Sequence, residues 1–224
     1  MEPSTLFSSS LLILLLGGSV TAGLADSSPL RDTCPMDPQG ERTLFMNGFL
    51  CKDPETIMPS DFKTSMLEKA GDTDNFVRSS MNVVTAAEFP GLNTLGLSVA
   101  RTDLAMDGMV LPHSHPRASE MLYVLHGTVI AGFIDTENRP FQKILEEGDV
   151  FVIPRGLLHF CVNAGYGPVA IHSVLNSQNP GVASIAGAMF SSESHVSERL
   201  VARMLGLGAM ELGRNRTDTP FRES

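Results

Sequence analysis

The sequence has 224 residues, of which 42% are hydrophobic, and this length suits one domain that buries a substantial core. Asp and Glu outnumber Lys and Arg by 25 to 16, which gives a formal net charge of -9. Nucleic-acid surfaces need clustered Lys and Arg, so this balance argues against a nucleic-acid partner.

The first segment of the chain is apolar. Its run Leu11–Leu16 is followed by small residues up to Ala22 and Ala25, although no Lys or Arg precedes the run. An apolar run of this length is too short to span a membrane and is typical of a secretory signal; a buried core segment is the alternative. We therefore predict a signal peptide over residues 1–25, with Ala22 as a second compatible cleavage site, and a secreted protein without a membrane segment.

The stretch from Asp53 to Asn82 is polar and irregular, and Pro, Gly and Asp recur in it. Such a composition predicts an arm that lies over a folded core. Within it, Ser60–Lys69 has the pattern of a short helix with Ser60 as its N-cap.

Beyond Asn82 the sequence consists of short apolar segments separated by Gly, Pro, Asp and Asn at intervals of roughly 8 to 12 residues, which predicts an all-β sandwich or barrel. His126-Gly127 is expected at a hairpin between two strands. The predicted strands are Leu95–Leu104, Met121–Leu125, Thr128–Ile134, Gln142–Leu145, Val150–Ile153, Leu158–Val162 and Val169–Leu175.

The C-terminal part of the chain changes character again. Ser197–Leu205 has apolar residues at helical spacing behind a Ser cap, and Gly206 follows it, so we predict a short helical tail. Asn215-Arg-Thr217 is an N-glycosylation sequon in a polar stretch, which makes Asn215 a candidate glycan site.

Four residues form a candidate metal site. His113 and His115 alternate along an extended strand and therefore point to the same side, and Glu120 and His159 add a carboxylate and a third imidazole. A lone His-x-His is a weak signal, because alternate histidines on a strand are often surface residues. This set suits a borderline divalent ion such as manganese, iron, nickel or zinc better than calcium or magnesium. An ion that prefers six ligands would keep open positions.

The spacing around these residues resembles a known family. The runs Gly108-x4-His113-x-His115-x4-Glu120-x6-Gly127 and Gly148-x5-Pro154-x-Gly156-x2-His159-x3-Asn163 are similar to the two motifs of germins and germin-like proteins in the cupin superfamily. The likeness extends from about Pro29 to the tail and includes His115-Pro-Arg117 and Asn176–Gly181. It departs from germins at Asp107, where they usually carry a second glycine.

The resemblance implies a jelly-roll β-barrel in which His113, His115, Glu120 and His159 bind Mn²⁺. It also implies a disulfide between Cys34 and Cys51, which secretion permits. Residues 1–25 would be the signal peptide, 26–82 an N-terminal arm with the disulfide, 83–180 the cupin barrel core and 181–224 the helical extension. The third cysteine, Cys161, shares the face of His159 by alternation and is either a small buried residue or a thiol that modulates redox near the metal.

The resemblance further implies a homohexameric, extracellular protein of the plant apoplast with a role in defence. Its substrate would be superoxide or a small carboxylate such as oxalate. Oxalate-oxidising germins present asparagines at positions that align with Ala100 and Val110, and neither residue here can donate a side-chain hydrogen bond. Each lost donor to a charged group costs about 1.5 to 3 kcal/mol, so we expect superoxide dismutase rather than oxalate oxidase activity. A cell-wall or binding protein with a structural metal is the third alternative.

Overall fold

The fold consists of two antiparallel five-stranded sheets that pack face to face. The computed structural model describes residues 32–39 and 48–184. One sheet has the strand order β1-β2-β9-β4-β7 and the other β10-β3-β8-β5-β6, which together form a jelly-roll β-barrel. The strands are β1 Ser79–Val84, β2 Ser98–Leu104, β3 Met109–Ser114, β4 Glu120–His126, β5 Val129–Ile134, β6 Pro140–Leu145, β7 Val150–Ile153, β8 Leu158–Asn163, β9 Val169–Leu175 and β10 Ala183–Ser184.

The all-β prediction is confirmed. Each strand predicted from the sequence is present, and Val150–Ile153 and Val169–Leu175 have the predicted bounds. Strand β1 was not anticipated, because its exposed polar centre hides the apolar alternation. The predicted signal peptide, the helical tail and Asn215 lie outside the described residues, and the predicted division of the chain into segments stays a prediction.

Alternating burial along the strands places the core between the sheets. On β8 every second side chain, beginning with His159, is buried, as expected for a strand with one face on the core. On β4 the same alternation buries Leu122 and Val124 and puts them on the face of Glu120. The main cluster consists of Leu104, Leu122, Val124, Val129, Ala131, Leu145, Ile153, Cys161, Val169 and Ile171.

The expected hairpin at His126-Gly127 is wrong. Strands β4 and β5, which flank it, belong to different sheets, so the turn crosses the barrel instead of joining paired neighbours. Gly127 has a φ of +88°, and a Cβ there would lie 2.8 Å from the carbonyl oxygen of Pro168. The glycine is therefore required by a close crossing. Sequence periodicity cannot distinguish this connection from a hairpin.

The predicted helix Ser60–Lys69 is also wrong. The chain forms a 3₁₀ turn at Pro59–Phe62 and then continues without a helix. The barrel holds the segment in this irregular conformation, because Nη1 of Arg101 donates to the carbonyl oxygens of Leu67 and Glu68, both at 3.0 Å. Contacts with the barrel thus override the local helical preference.

The disulfide between Cys34 and Cys51 is confirmed. Asn93, which is fully buried, fastens this region to the barrel: its Nδ2 donates to the carbonyl oxygen of Phe49 at 2.9 Å, and its Oδ1 accepts from the amide of Phe49 at 3.0 Å. Within the described residues, no helix is long and apolar enough to cross a membrane.

Candidate metal centre

The barrel brings the three predicted histidine ligands together. His113 lies near the end of β3, His115 follows that strand, and His159 lies on β8 directly opposite His113. All three side chains are buried, and their ligand nitrogens lie within 4.8 Å of one another. The fourth candidate, Glu120, begins β4 in the other sheet. The site therefore spans both sheets at one end of the barrel.

A β-bulge in β3 determines which side chains face this site. Val110 pairs with Cys161, and His113 pairs with His159. Two residues of β3, Leu111 and Pro112, therefore oppose the single residue Phe160 of β8. Without the extra residue, Val110 and His113 would point to opposite faces; with it, both share the inner face. Pro112 lies inside the bulge, a position where a strand tolerates a residue without an amide hydrogen.

Main-chain carbonyl groups orient all three imidazole rings. Nδ1 of His113 lies 3.0 Å from the carbonyl oxygen of its own strand neighbour Leu111, and Nδ1 of His159 lies 2.9 Å from that of Leu157. Nδ1 of His115 lies 2.6 Å from the carbonyl oxygen of Gly181. Since a carbonyl only accepts, each Nδ1 carries a proton and donates it. In the neutral rings the lone pairs are therefore on Nε2, the arrangement that a metal ligand requires.

The carboxylate of Glu120 completes the cluster. Its Oε2 lies 3.4 Å from Nε2 of His115 and 3.2 Å from Nε2 of His159. Oε2 of Glu120 and Nε2 of His159 are both buried, and neither has a hydrogen-bond partner in the described part of the chain. Ser173 on β9 also faces this carboxylate and, as a hydrogen-bond donor, lowers its pKa.

The local electrostatics favour a bound cation. Burial, reinforced by the neighbouring His159, lowers the pKa of His113 to about 4 and keeps that ring neutral. Burial favours the neutral form of Glu120, yet the adjacent imidazoles and Ser173 lower its pKa below the usual range and keep it charged. Burial also acts to lower the pKa of His115, but its contacts with Glu120 and Gly181 outweigh this and raise it. A proton therefore competes with a metal ion for Nε2 of His115.

These residues fit a divalent metal ion. Buried acceptor atoms that face one another without a donor between them carry an energetic penalty, which a cation at their centre removes. Three neutral imidazoles and one carboxylate suit manganese or a similar ion. The structure therefore brings together the four residues chosen from the sequence, and their role as ligands is taken up as a proposal below.

The two positions that bear on oxalate also face the inside of the barrel. Ala100 is buried on β2 opposite Ser173, and Val110 lies opposite Cys161. Cys161 is buried and has no disulfide partner, and burial raises its pKa to about 12. Ser173 is the site residue that the sequence reasoning missed. Its place between Ile171 and Leu175 in the buried alternation of β9 was the available signal.

Asp107 shows what the departure from the germin motif does. It has a φ of +60°, the left-handed region that a glycine adopts without strain and that Asp tolerates better than most residues. The turn still forms, because the amide of Gly108 donates to the carbonyl oxygen of Ala105 at 2.8 Å. The substitution therefore leaves the ligand-bearing strand that follows in place.

The jelly-roll barrel and its histidine cluster define a cupin, and a comparison with protein families agrees: the family described as Cupin matches residues 65–212. A rice relative (Oryza sativa subsp. japonica), germin-like protein 11-1, is 63% identical over 198 residues, which are 88% of this chain and 89% of the relative. Germin-like protein subfamily 3 member 4 of Arabidopsis thaliana is 51% identical over 82% of this chain and 87% of its own. The chain belongs to the germin-like proteins of the cupin family.

Solved structures share the same fold. A structure of oxalate oxidase is 34% identical, with a TM-score of 0.72, over 84% of this chain and 96% of its own. Peruvianin-I, described as a cysteine peptidase from the latex of Thevetia peruviana, is 39% identical, with a TM-score of 0.66, over 72% of this chain and 98% of its own.

Proposed function

We propose that this germin-like protein is a secreted manganese protein of the plant extracellular space that dismutes superoxide. The observation that carries the proposal is the convergence of His113, His115, His159 and Glu120. Oε2 of Glu120 lies 3.4 Å from Nε2 of His115 and 3.2 Å from Nε2 of His159, and in the neutral rings these nitrogens carry no hydrogen to donate. In the proposal these four residues hold the ion. Manganese follows from the resemblance to germins.

Bound manganese would supply a one-electron couple that oxidises one superoxide and reduces the next. The chain supplies fixed ligands and an enclosed site. The carbonyl groups behind the rings hold the imidazole nitrogens in place, and Ser173 holds the carboxylate. Superoxide needs an open metal position and no large binding pocket, which agrees with the small and apolar residues Ala100 and Val110 nearby.

Oxalate oxidation is the second candidate, supported by the similarity to oxalate oxidase. A dicarboxylate would need hydrogen-bond donors beyond the metal in order to be oriented. Ala100 and Val110 occupy the two positions where the resemblance places asparagine amides, and neither donates from its side chain. This favours the dismutase over the oxidase.

The peptidase description of peruvianin-I finds no support in this chain. A cysteine nucleophile needs an accessible thiol with a lowered pKa. Cys161 is buried in the main core cluster, and burial raises its pKa. Its properties are those of a small core residue.

Secretion, assembly and modification are further parts of the proposal. The apolar run Leu11–Leu16 supports a signal peptide over residues 1–25, and the disulfide Cys34–Cys51 is compatible with an oxidising compartment. The sequon Asn215-Arg-Thr217 supports a glycan at Asn215. The resemblance to germins supports a homohexamer and a role in plant defence.

The test is metal analysis and superoxide dismutation with the secreted, manganese-loaded protein. We expect stoichiometric manganese and dismutation in the wild type, and loss of both in His159→Ala. His126→Ala is the matched control, because His126 is exposed and pairs with Glu147 away from the cluster. Tight manganese binding without dismutation would support a structural metal, and stoichiometric manganese in His159→Ala would overturn the ligand assignment.

A further inference from the structure

The segment Asn176–Gly181, called the rim segment below, joins β9 to β10 and supplies none of the four proposed ligands. It is nevertheless hydrogen-bonded to two other loops of the barrel. Asn176 donates its amide to the carbonyl oxygen of Ser119 at 3.2 Å and accepts the amide of Ser119 at its Oδ1 at 2.7 Å. Oε1 of Gln178 accepts the amide of Thr94 at 2.6 Å. The rim segment thus has a defined position without belonging to a sheet.

Arg117 is the residue that fixes the far end of the rim segment. Its Nε donates to the carbonyl oxygen of Asn179 at 2.7 Å, and its Nη2 donates to Oδ1 of the same residue at 2.8 Å. Its main-chain amide donates to the carbonyl oxygen of Pro180 at 3.1 Å. The planar guanidinium group presents two donors in a fixed geometry, which the single ammonium group of lysine cannot reproduce.

Gly181 connects this contact to the metal site. Its φ is +68°, which favours glycine, and a Cβ there would lie 2.8 Å from Nη2 of Arg117, so an added methyl group would displace the guanidinium group. Its carbonyl oxygen accepts the hydrogen bond from Nδ1 of His115 at 2.6 Å. Farther along, strand β10 pairs with β3 and puts Ser184 opposite His113.

This acceptor differs from those of the other two rings. His113 and His159 each use the carbonyl group two residues earlier in the chain, whereas His115 uses one that is 66 residues away. The local backbone therefore orients two rings. The third ring depends on where the rim segment lies.

We propose that Arg117 is a positioning residue of the metal centre, which fixes the rim segment so that the Gly181 carbonyl group holds the proton of His115 on Nδ1. The inference rests on the proposed metal-binding function. If the carbonyl group moves away, the proton can occupy Nε2, and His115 then loses the lone pair that faces the ion. The sequence motifs His115-Pro-Arg117 and Asn176–Gly181 would accordingly act together.

The test compares Arg117→Ala, Arg117→Lys and the control Arg139→Ala. Arg139 is exposed and pairs with Asp135 and Glu137 in the turn between β5 and β6, so its removal deletes a surface arginine whose ion pairs lie within that turn. Manganese affinity is measured by competition with a chelator. We expect about tenfold weaker binding for Arg117→Ala, partial recovery for Arg117→Lys and no change for the control.

A second measurement needs no metal. Nitrogen NMR of the histidine rings in metal-free protein, at a pH where the rings are neutral, reports which nitrogen of His115 carries the proton. We expect the Nδ1 form in the wild type and a mixture in Arg117→Ala. A purely structural role would lower the melting temperature of the metal-free variant but leave both the tautomer and the manganese affinity unchanged, and this result would overturn the inference.

The outcomes separate the two proposals. If wild-type protein binds no manganese, the proposed function fails, and the NMR measurement still decides the role of Arg117. If Arg117→Ala does not fold, Gly181→Ala replaces it, because the added methyl group would displace the contact with Arg117. Weaker manganese binding in Gly181→Ala supports the inference, and wild-type affinity in that variant overturns it.

Discussion

Ser173 on the neighbouring strand β9 lies diagonally from Glu120, and its hydroxyl group, as a hydrogen-bond donor, lowers the pKa of the Glu120 carboxyl group. Ser173 lies opposite Leu122 in the ladder, and Glu120 lies opposite Leu175 two positions further along. The contact is therefore a diagonal one across the inner face of the sheet. It lets one buried polar side chain support the single carboxylate of the site.

Removing this hydroxyl group should weaken the site. In Ser173→Ala a buried carboxylate loses a donor, which costs about 1.5 to 3 kcal/mol, and we expect a lower melting temperature of the metal-free protein together with weaker manganese binding. Thermal unfolding measures the melting temperature, and titration with manganese measures the binding.

Ser98→Ala is the matched control for this prediction. Ser98 is also fully buried, but its hydroxyl oxygen has no hydrogen-bond partner in the described part of the chain. We expect its replacement to be neutral or stabilising, because an unsatisfied polar group disappears. Equal destabilisation in both variants would show that Ser173 contributes packing alone.

The pH dependence of the metal-free protein should report on His113. The folded protein protonates this ring only near pH 4, whereas the unfolded chain does so near the ordinary value of 6.5. Between these values the unfolded state binds more protons, so the free energy of unfolding falls as the pH falls, by up to about 1.4 kcal/mol per pH unit. His113→Gln should show a flatter profile in thermal unfolding measured across this range.

The pKa of His115 shifts in the opposite direction and affects the stability in a different pH range. Its pKa is raised above 6.5, so the stability that it contributes is fully present below 6.5 and is lost as the pH rises through the folded value. The titration of His115 therefore does not hide the fall in the free energy of unfolding that His113 causes below pH 6.5. A wild-type profile as flat as that of His113→Gln between 6.5 and 4 would contradict the prediction.

Removing the disulfide should lower the free energy of unfolding more than removing the free thiol of Cys161. In Cys34→Ser/Cys51→Ser the loss of the constraint on the unfolded chain should lower the free energy of unfolding by roughly 3 kcal/mol in the chain-entropy model. Cys161→Ala removes a small buried side chain from the core and should cost less. Denaturant unfolding compares the two variants.

Alkylation provides an independent check of the cysteines. Cys161 should react with an alkylating reagent only after unfolding, since it is buried and burial raises its pKa. Peptide mapping under non-reducing conditions should find Cys34 linked to Cys51. Rapid labelling of Cys161 in the folded protein would contradict its burial.

The ligand residues could be chosen from the sequence because their spacing repeats a known motif and because strand alternation applies locally. To place His113 and His115 on the same face, the two-residue alternation of side chains along a strand was sufficient. The bulge between Val110 and His113 could not be predicted in this way, since an inserted residue reverses the face of everything before it. Physical reasoning from alternation alone would have turned Val110 away from the site.

Contacts between distant parts of the chain were equally hidden. The segment after Ser60 had helical spacing, but Arg101, more than thirty residues later on β2, binds two of its carbonyl groups. The carbonyl group of Gly181 reaches His115 only because the jelly roll returns the chain to the site. Neither relationship leaves a periodic signal in the sequence.

The last prediction concerns oxalate. With Ala100 opposite Ser173 and Val110 opposite Cys161, both on inner faces, the protein should bind manganese yet oxidise oxalate poorly or not at all. Two missing charge-assisted hydrogen bonds amount to about 3 to 6 kcal/mol, or about a hundredfold to more than ten-thousandfold in rate if both act in the transition state. Superoxide, which needs an open metal position alone, should be less affected.

Restoring the amides tests this directly. Ala100→Asn together with Val110→Asn should raise oxalate turnover more than either change alone, measured as hydrogen peroxide release by protein with equal manganese content. Ala100→Leu with Val110→Leu is the control, because leucine is close to asparagine in size but brings no donor. The bulge makes the Val110 position informative, since an asparagine there would face the same interior as His113. If the wild type turned over oxalate at several per second, the site would orient a dicarboxylate without those amides, and the argument for a dismutase over an oxidase would fail.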